Sequence, residues 1–270
     1  MNHIMIDGYS GNETRLDDIK EVNAVLNEIV STLNLTSVMP PFLLPYYYAK
    51  DGEDDGISAF VILQGGHVTI HTFPRRGCLF VDLLYDGYFD ADKLRNILKN
   101  HFMYTVEKAV RTERRFFDPT LDSDKIFDGD GRKDFGPHII ARADNVDGVT
   151  FESIFDMLDE LPARTNMLPI CRPYVIKSFG DKNYPYISGV VLIAQSHIAF
   201  HYSVNEKTLF CDLFSCSFYK SDKFADYLKE RFAGVEYMTL IRGSKHEQKI
   251  IDKNMRRAQL GKWADNAGRE

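Results

Sequence analysis

The amino-acid sequence contains one segment twice. Residues 57–102 and residues 187–232 align without a gap at an offset of 130 positions. Polar as well as apolar residues coincide, and the matched pairs include Ser58 with Ser188, His67 with His197, His71 with His201, Asp82 with Asp212, Asp92 with Asp222 and Phe102 with Phe232. Convergent patterning of two unrelated units is the alternative, and a gap-free match of this length argues against it. The sequence therefore predicts two repeats of one fold.

Each copy carries the same succession of strand and helix patterns. Short apolar or alternating runs predict three consecutive strands, at 58–64, 67–73 and 78–84 in the first copy and at 188–194, 197–202 and 208–214 in the second. A helix follows each set, at 90–102 with Asp90 as its cap and at 220–232 with Ser221 as its cap. Upstream, each copy begins with a strand (3–7 and 138–142) and a helix (near 17–33 and 150–161), and we expect one further strand per copy.

These patterns predict an α+β fold. The links between strands are short, which favours antiparallel pairing, and helices with one apolar face are expected to cover one face of each sheet. In the predicted strand at 67–73, His67, Thr69 and His71 alternate with Val68 and Ile70. The three polar residues therefore share one face of the strand, and the two apolar residues share the other. The two copies are then expected to pack sheet to sheet as a pseudo-dimer within one chain, an α/β/β/α sandwich.

The repeat boundaries divide the chain into four parts. We expect a first repeat at 1–117, a linker at 118–135, a second repeat at 136–243 and a helical tail at 244–270. The linker aspartates Asp124, Asp128 and Asp130 only faintly resemble a calcium loop and lack its full pattern, so no metal is expected there. In the tail, the apolar residues expected to dock one side are Ile250, Ile251, Met255 and Leu260.

Composition excludes several classes of partner. Hydrophobic residues make up 44% and charged residues 27%, with a net charge of -6. This balance is typical of a globular protein, and the absence of a basic excess argues against nucleic acid and anionic membranes. No apolar run reaches the length of a membrane span, and no secretory signal is recognisable at the start of the sequence. The spacing of the four cysteines fits neither a zinc site nor a disulfide framework, so free thiols and a cytoplasmic location are expected.

Four polar residues of the second copy stand at informative spacings. Ser188 precedes the run Gln195-Ser196-His197 by a few residues, His201 follows it, and Cys216 lies 20 residues after Ser196. Taken singly, Ser188 and His201 could be ordinary buried strand residues, and Cys216 a small core residue like Cys78, Cys171 and Cys211. Together, the set resembles the bacterial S-adenosylmethionine decarboxylase family, whose members carry a Ser, a Glu-Ser-His motif, a His and a Cys at these spacings. The resemblance covers nearly the whole chain, once in each copy.

The resemblance implies a particular chemistry. A carbanion at an amino-acid Cα needs an electron sink, which a covalent carbonyl joined to the substrate amine as a Schiff base supplies. The family makes that carbonyl from its own backbone, as a pyruvoyl group. By resemblance, Ser196 is the precursor of this cofactor, and the chain is cut between Gln195 and Ser196. Ser188 and His201 assist processing, and Cys216 returns a proton to Cα.

The first copy lacks this set. Gly66 stands where the second copy has Ser196, and Asp86 stands where it has Cys216, so no cofactor can form there. The resemblance implies that the first copy still lines the substrate site through its arm, with His71, Phe73 and Arg75 as candidate substrate-binding residues. Phe73 can stack on a flat ring. Arg75 replaces a Glu that resembles a ribose ligand, and an arginine suits a carboxylate instead.

Three functions therefore compete. The first is a self-processing pyruvoyl-dependent decarboxylase of S-adenosylmethionine that supplies spermidine synthesis. In the second, the same machinery decarboxylates arginine or ornithine, which the departures at Gln195 and Arg75 would suit. The third is an unprocessed, non-enzymatic protein that binds a nucleoside. In each case we expect a small-molecule ligand and an intramolecular pseudo-dimer, and the sequence leaves further oligomerisation open.

Overall fold

The computed structural model describes residues 1–49, 52–121, 134–178, 185–194, 196–216 and 222–244. Four predicted features lie outside the described residues in whole or in part. They are most of the expected linker, the cap Ser221, the expected cut-site residue Gln195 and the tail from residue 245 onward.

The first copy forms a six-stranded antiparallel sheet. Its strands are β1 (Asn2–Tyr9), β2 (Phe42–Tyr46), β3 (Gly56–Leu63), β4 (Gly66–Phe73), β5 (Cys78–Tyr85) and β6 (Val106–Glu113). They are arranged in the order β2-β3-β4-β5-β1-β6. The predicted strands at 3–7, 58–64, 67–73 and 78–84 are all present, and β3, β4 and β5 follow one another as hairpins.

The second copy repeats this topology. Its strands are β7 (Asp134–Ala143), β8 (Tyr174–Ser178), β9 (Tyr186–Ile193), β10 (Ser196–Ser203), β11 (Thr208–Phe214) and β12 (Glu236–Ser244). The order β8-β9-β10-β11-β7-β12 corresponds strand for strand to the first sheet. The prediction of two α+β repeats with antiparallel sheets is thereby confirmed.

Each copy has one strand more than we expected. The additional strands β2 and β8 lie at the outer edge of each sheet and are only partly buried. They are short, and β2 contains Pro45, which normally argues against a strand. Pro45 fits here because an edge strand has one side without a partner strand.

Helices cover the outer face of each sheet. They are α1 (Glu13–Leu16), α2 (Ile19–Thr32), α3 (Ala91–Phe102), α4 (Phe151–Arg164) and α5 (Asp222–Lys229). Asp90 caps α3 as predicted, since its side chain accepts hydrogen bonds from the backbone N–H groups of Asp92 and Lys93. No helix in these described ranges is long and apolar enough to cross a membrane.

The inner faces of the two sheets pack against each other. Val68 and Ile70 of β4 belong to the core beneath the helices, whereas His67, Thr69 and His71 are buried on the other face, as the alternation predicted. Apolar clusters that mix residues of both copies join the sheets; one contains Phe60 and Ile62 with Val190, Leu192 and Ala199. Between these clusters lies a buried layer of histidines, aspartates and arginines. The molecule is therefore an α/β/β/α sandwich with a polar centre.

Candidate active site

The hydroxyl and the thiol of the second-copy motif lie together. Ser196 begins β10, and Cys216 follows the end of β11. The backbone N–H of Cys216 donates a hydrogen bond of 2.7 Å to Ser196 Oγ, and Cys216 Sγ donates one of 3.2 Å to the Ala194 carbonyl oxygen. Because β10 and β11 are antiparallel neighbours, the start of one strand meets the end of the other. Two reactive groups therefore share one edge of the molecule.

Aromatic residues of the first copy extend to this edge. A buried cluster contains Tyr9, Phe73, Cys78, Phe80 and Phe214, and Cys216 packs against it. The ring of Phe73 meets that of Phe80 edge to face, with centroids 5.6 Å apart. Phe73 is fully buried, so the ring expected to stack on a nucleoside is close to Cys216 but is covered by its neighbours.

A chain of three side chains from both copies lies beside this cluster. Ser58 Oγ is 2.9 Å from His71 Nδ1, and His71 Nε2 is 2.9 Å from His197 Nδ1. The rings of His71 and His197 stack with centroids 5.1 Å apart, and the His71 ring centroid is 5.8 Å from that of Phe214. Since His197 adjoins Ser196 in β10, the Ser58–His71 pair of the first copy lies at the end that carries Ser196 and Cys216.

The Ser188–His201 pair occupies a different place from the one the sequence suggested. The two side chains are paired, with Ser188 Oγ 2.9 Å from His201 Nδ1. His201 Nε2, however, is 2.7 Å from Nδ1 of His67 in the first copy. His201 is five residues beyond Ser196 in an extended strand, which separates their backbones by roughly 16 Å. Strands β4 and β10 cross the interface in opposite senses, since His67 stacks on His201 and His71 stacks on His197. The Ser58–His71 pair therefore lies toward Ser196 of the second copy, and the Ser188–His201 pair lies toward Gly66 of the first.

Burial keeps these imidazoles neutral. It lowers the pKa of His67 to about 4 and that of His71 to about 3, and it places the pKa values of His197 and His201 well below the ordinary value. A neutral imidazole has one N–H and one bare nitrogen, so each of these rings can accept a hydrogen bond through its bare nitrogen.

The family model for S-adenosylmethionine decarboxylase matches residues 2–115 and 150–243, which include most of both copies. The chain belongs to the S-adenosylmethionine decarboxylase family. The resemblance carried by the second-copy motif is thereby confirmed, and with it the expectation of a decarboxylase.

Individual members of the family show how far the similarity extends. The S-adenosylmethionine decarboxylase proenzyme of Thermosipho melanesiensis is 31% identical over 113 residues, which cover 39% of this chain and 79% of that protein. The proenzyme of Aquifex aeolicus is 28% identical over 85 residues, covering 32% of this chain and 58% of that protein. The crystal structure of adenosylmethionine decarboxylase from Aquifex aeolicus aligns with a TM-score of 0.37 and 20% identity, over 44% of this chain and 92% of that one.

In this member of the S-adenosylmethionine decarboxylase family, the place in the first copy that corresponds to Ser196 and Cys216 is occupied by the side chain of Tyr186. Tyr186, from β9 of the second copy, donates a hydrogen bond of 2.5 Å to Asp86 Oδ2. Its ring lies so close to Gly65 that a Cβ at this glycine would be 2.9 Å from it. The residue that corresponds to Tyr186 in the first copy is Gly56, which has no ring to place over Cys216. The two ends of the interface therefore differ in structure as well as in sequence.

Arg75, a predicted substrate residue, is exposed to solvent in the turn Pro74–Arg76 after β4. Its neighbour Arg76 is buried instead, and its Nε donates a hydrogen bond of 2.7 Å to Asp54 Oδ1. The third predicted substrate residue, His71, is held in the chain with Ser58 and His197.

Two buried arginines form ion pairs across the polar centre, from one copy to the other. Arg114 Nη1 donates to Asp212 Oδ1 at 2.6 Å, and Arg242 Nη1 donates to Asp82 Oδ1 at 2.5 Å. Burial by itself would raise the pKa of Asp82, but the Arg242 guanidinium and His138 outweigh it and hold that pKa well below its ordinary value. Both carboxylates are therefore ionised and neutralised across the interface.

One group in this centre has a geometry that a metal could use. His3, His138 and Asp212 offer ligand atoms within 4.8 Å of one another. Arg114 Nη1, however, lies 2.6 Å from Asp212 Oδ1 and 3.3 Å from His3 Nδ1. A guanidinium therefore already supplies the positive charge next to this carboxylate.

Sequence reasoning missed several residues at the site. Tyr9, Phe80 and Phe214 form the aromatic surroundings of Cys216, and Ser58 lies within hydrogen-bond distance of His71. Ser58 could have been identified because it matches Ser188 in the repeat. For Tyr9 no such signal existed, since it lies outside the aligned segment.

Proposed function

We propose that this chain is a self-processing, pyruvoyl-dependent decarboxylase of S-adenosylmethionine whose product supplies spermidine synthesis. The observation that carries the proposal is the convergence of Ser196 and Cys216 of the second copy with the Ser58–His71 pair of the first. A hydroxyl, a thiol and a neutral imidazole at one edge are the groups that the processing and decarboxylation reactions require.

Processing begins at Ser196. Its hydroxyl attacks the Gln195 carbonyl carbon, the peptide C–N bond breaks, and the hydroxyl proton passes to the released amine, which leaves an ester. Removal of the Cα proton of residue 196 then breaks the bond between Cβ and the ester oxygen and releases a carboxylate on Gln195. Hydrolysis of the new N-terminus with loss of ammonia leaves the pyruvoyl group. The hydrogen bond from the Cys216 N–H holds Ser196 Oγ in place before the attack.

The proton acceptor in this scheme is His71 rather than His201. The sequence suggested Ser188 and His201, but that pair lies toward Gly66 and Asp86, which stand in place of Ser196 and Cys216. The Ser58–His71 pair lies beside His197 and Phe214, next to the reactive groups. The His71 imidazole is neutral because burial lowers its pKa to about 3, so one of its ring nitrogens is bare and can accept a hydrogen bond from a hydroxyl.

The residues present fit the pyruvoyl group. Ser196 is buried at the start of a strand and is hydrogen-bonded to the Cys216 N–H, so these residues would hold the group and shield it from water. Once formed, this carbonyl supplies the electron sink that decarboxylation of an amino acid requires. Cys216 is only partly buried, and its thiol is the candidate to return a proton to the substrate carbon.

S-adenosylmethionine is the preferred substrate because two named relatives act on it and because an aromatic cluster borders Cys216. Phe73 is the candidate for stacking on the adenine, which requires its covered ring to become accessible when substrate binds. Four free cysteines fit a reducing cytoplasm, where polyamine synthesis would place the enzyme.

Intact mass spectrometry tests processing. The purified protein is expected to separate into residues 1–195 and 196–270, the second beginning with the pyruvoyl group, whereas Ser196→Ala should stay a single 31.0 kDa chain because no hydroxyl remains. His71→Asn should slow the cut more than its pseudo-symmetric counterpart His201→Asn. An uncut wild-type chain after prolonged incubation would overturn the proposal, and a cut that depends on His201 alone would overturn the assignment of the base.

Release of CO₂ from carboxyl-labelled substrates then tests specificity. Activity with S-adenosylmethionine and none with arginine or ornithine is expected. Activity with either amino acid alone would assign the same machinery to a different substrate, and Arg75→Ala would then be expected to abolish it.

A further inference from the structure

His197 lies between Ser196 and the first copy. It directly follows Ser196, and its ring reaches across the interface to the histidine of the other copy. His197 Nδ1 lies 2.9 Å from His71 Nε2, the rings are within 8° of parallel, and both are fully buried. The proposed function uses His71 as the base and assigns nothing to His197.

The geometry allows the two neutral rings to share a proton in two ways, because either His71 Nε2 or His197 Nδ1 can carry the hydrogen between them. Each neutral ring carries a single N–H, and His71 makes hydrogen bonds with both of its nitrogens, to Ser58 on Nδ1 and to His197 on Nε2. A serine hydroxyl can rotate to donate or accept, so Ser58 is compatible with either tautomer. The tautomer of His197 then sets that of His71: a bare His197 Nδ1 accepts from His71 Nε2–H and leaves His71 Nδ1 bare.

We propose that His197 is a positioning residue that holds His71 in the tautomer whose Nδ1 is bare and faces Ser58. In this arrangement His71 Nε2–H donates to His197 Nδ1, and the Ser58 hydroxyl donates to His71 Nδ1. The inference rests on the proposed function, because a proton acceptor must present a bare nitrogen. A base oriented by a third group is a recurrent arrangement in nucleophilic catalysis, and here the orienting group comes from the other copy.

The first copy provides a matched control. His67 stands to His201 as His197 stands to His71, with a separation of 2.7 Å between His67 Nδ1 and His201 Nε2. Both pairs are buried in the same layer and are related by the repeat. The His67 pair lies toward the end where Gly66 and Asp86 replace the reactive groups. The His67 ring is 5.5 Å from that of His197, but its hydrogen bond is to His201, so a change at His67 removes an imidazole of matched burial and leaves the His71–His197 hydrogen bond in place.

Nitrogen NMR reads the tautomer without any turnover. In the uncleavable Ser196→Ala chain labelled with ¹⁵N-histidine, His71 is expected to show a protonated Nε2 and a bare Nδ1, since the two kinds of nitrogen resonate at separate shifts. Adding His197→Leu should convert this into a mixture of tautomers, whereas adding His67→Leu should leave the His71 signals unchanged. A protonated His71 Nδ1 in the Ser196→Ala chain, or His71 signals that do not change in His197→Leu, would overturn the proposal. Because this chain cannot be cut, the result does not depend on whether the wild-type chain is processed.

Cleavage kinetics provide the second readout. His197→Leu should slow the cut about tenfold to hundredfold, as loss of a partner that orients a reacting group typically does. His197→Asn should restore much of the rate, because the Asn Oδ1 lies near the place of Nδ1 and can accept from His71. His67→Leu, with matched burial, should keep a rate near that of the wild type. Equal losses in His197→Leu and His67→Leu would show a structural role and refute the proposal.

Discussion

At the scale of residues, burial sets the protonation state of the histidines in the interface. Five of them, including His67, His71 and His197, lie with pKa values below the ordinary one because burial disfavours the charged ring. The sign of the resulting pH dependence follows directly. Unfolded histidines take up protons from about pH 6.5 downward, but folded His67 does so only near pH 4. The stability that these histidines contribute is therefore fully present above about pH 6.5 and declines as the pH falls toward 4.

We predict that the free energy of unfolding of the Ser196→Ala chain decreases between pH 6.5 and pH 4. His67 alone should account for on the order of 3 kcal/mol of this loss, because each unit of pKa difference is worth about 1.36 kcal/mol. Urea unfolding at several pH values measures it. Replacing the ring by His67→Asn should make the pH dependence shallower by one proton, and an unchanged slope would contradict this account of His67.

At the scale of elements, the hairpin strands β4 and β5 leave no room for a side chain at Gly66. A Cβ at Gly66 would lie 1.9 Å from the Leu84 carbonyl oxygen and 3.0 Å from the Tyr85 Cα. In the second copy, the corresponding hairpin of β10 and β11 accommodates Ser196 and uses the Cys216 N–H to bind its hydroxyl. The backbone of the first copy therefore leaves no space for a serine at position 66.

Gly66→Ser is accordingly expected to destabilise the protein and to create no second cofactor. The added side chain must displace the backbone of β5, and overpacking of this kind costs typically about 1–3 kcal/mol. Asp86 in addition stands in place of the thiol and is bonded to Tyr186. Thermal unfolding and intact mass spectrometry check both parts. A Gly66→Ser chain that is cut at position 66 and unfolds at the wild-type temperature would contradict the prediction.

The elements also show where sequence reasoning succeeds. Alternation in β4 and the helical spacing of Leu94, Ile97 and Leu98 identify buried faces, because such periodicities depend on local geometry alone. The edge strand β2 was missed because it is short and contains Pro45. The pairing of His71 with His197 could not be predicted, since it depends on the direction in which two distant strands cross. Spacing along one strand suggested His201 as the partner of Ser196, whereas packing places His71 against His197, the residue that follows Ser196.

At the scale of the whole molecule, crossing ion pairs join the two copies. Arg114, which follows β6 of the first copy, reaches Asp212 in β11, and it also donates to the carbonyl oxygens of Ala141 and Cys211. Arg242 in β12 reaches back to Asp82 in β5. The aspartates match within the aligned segments, but the arginines lie beyond them, so these crossing pairs could not be predicted from the repeat. All four side chains are buried, which makes each charge dependent on the other copy.

Removing one partner should therefore cost more than removing both. Arg114→Met is expected to lower the free energy of unfolding by about 3–5 kcal/mol, because it leaves the Asp212 carboxylate buried without a counter-charge. The double variant Arg114→Met with Asp212→Asn should recover part of that loss. The neighbouring Arg115 pairs with Glu206 at the surface, where both side chains are substantially exposed, so Arg115→Met should cost no more than about 1 kcal/mol. Urea unfolding of the three variants on the uncleavable Ser196→Ala background measures these differences. If Arg114→Met and Arg115→Met proved equally stable, or if the double variant were less stable than Arg114→Met, the crossing pairs would not be what holds the two copies in register.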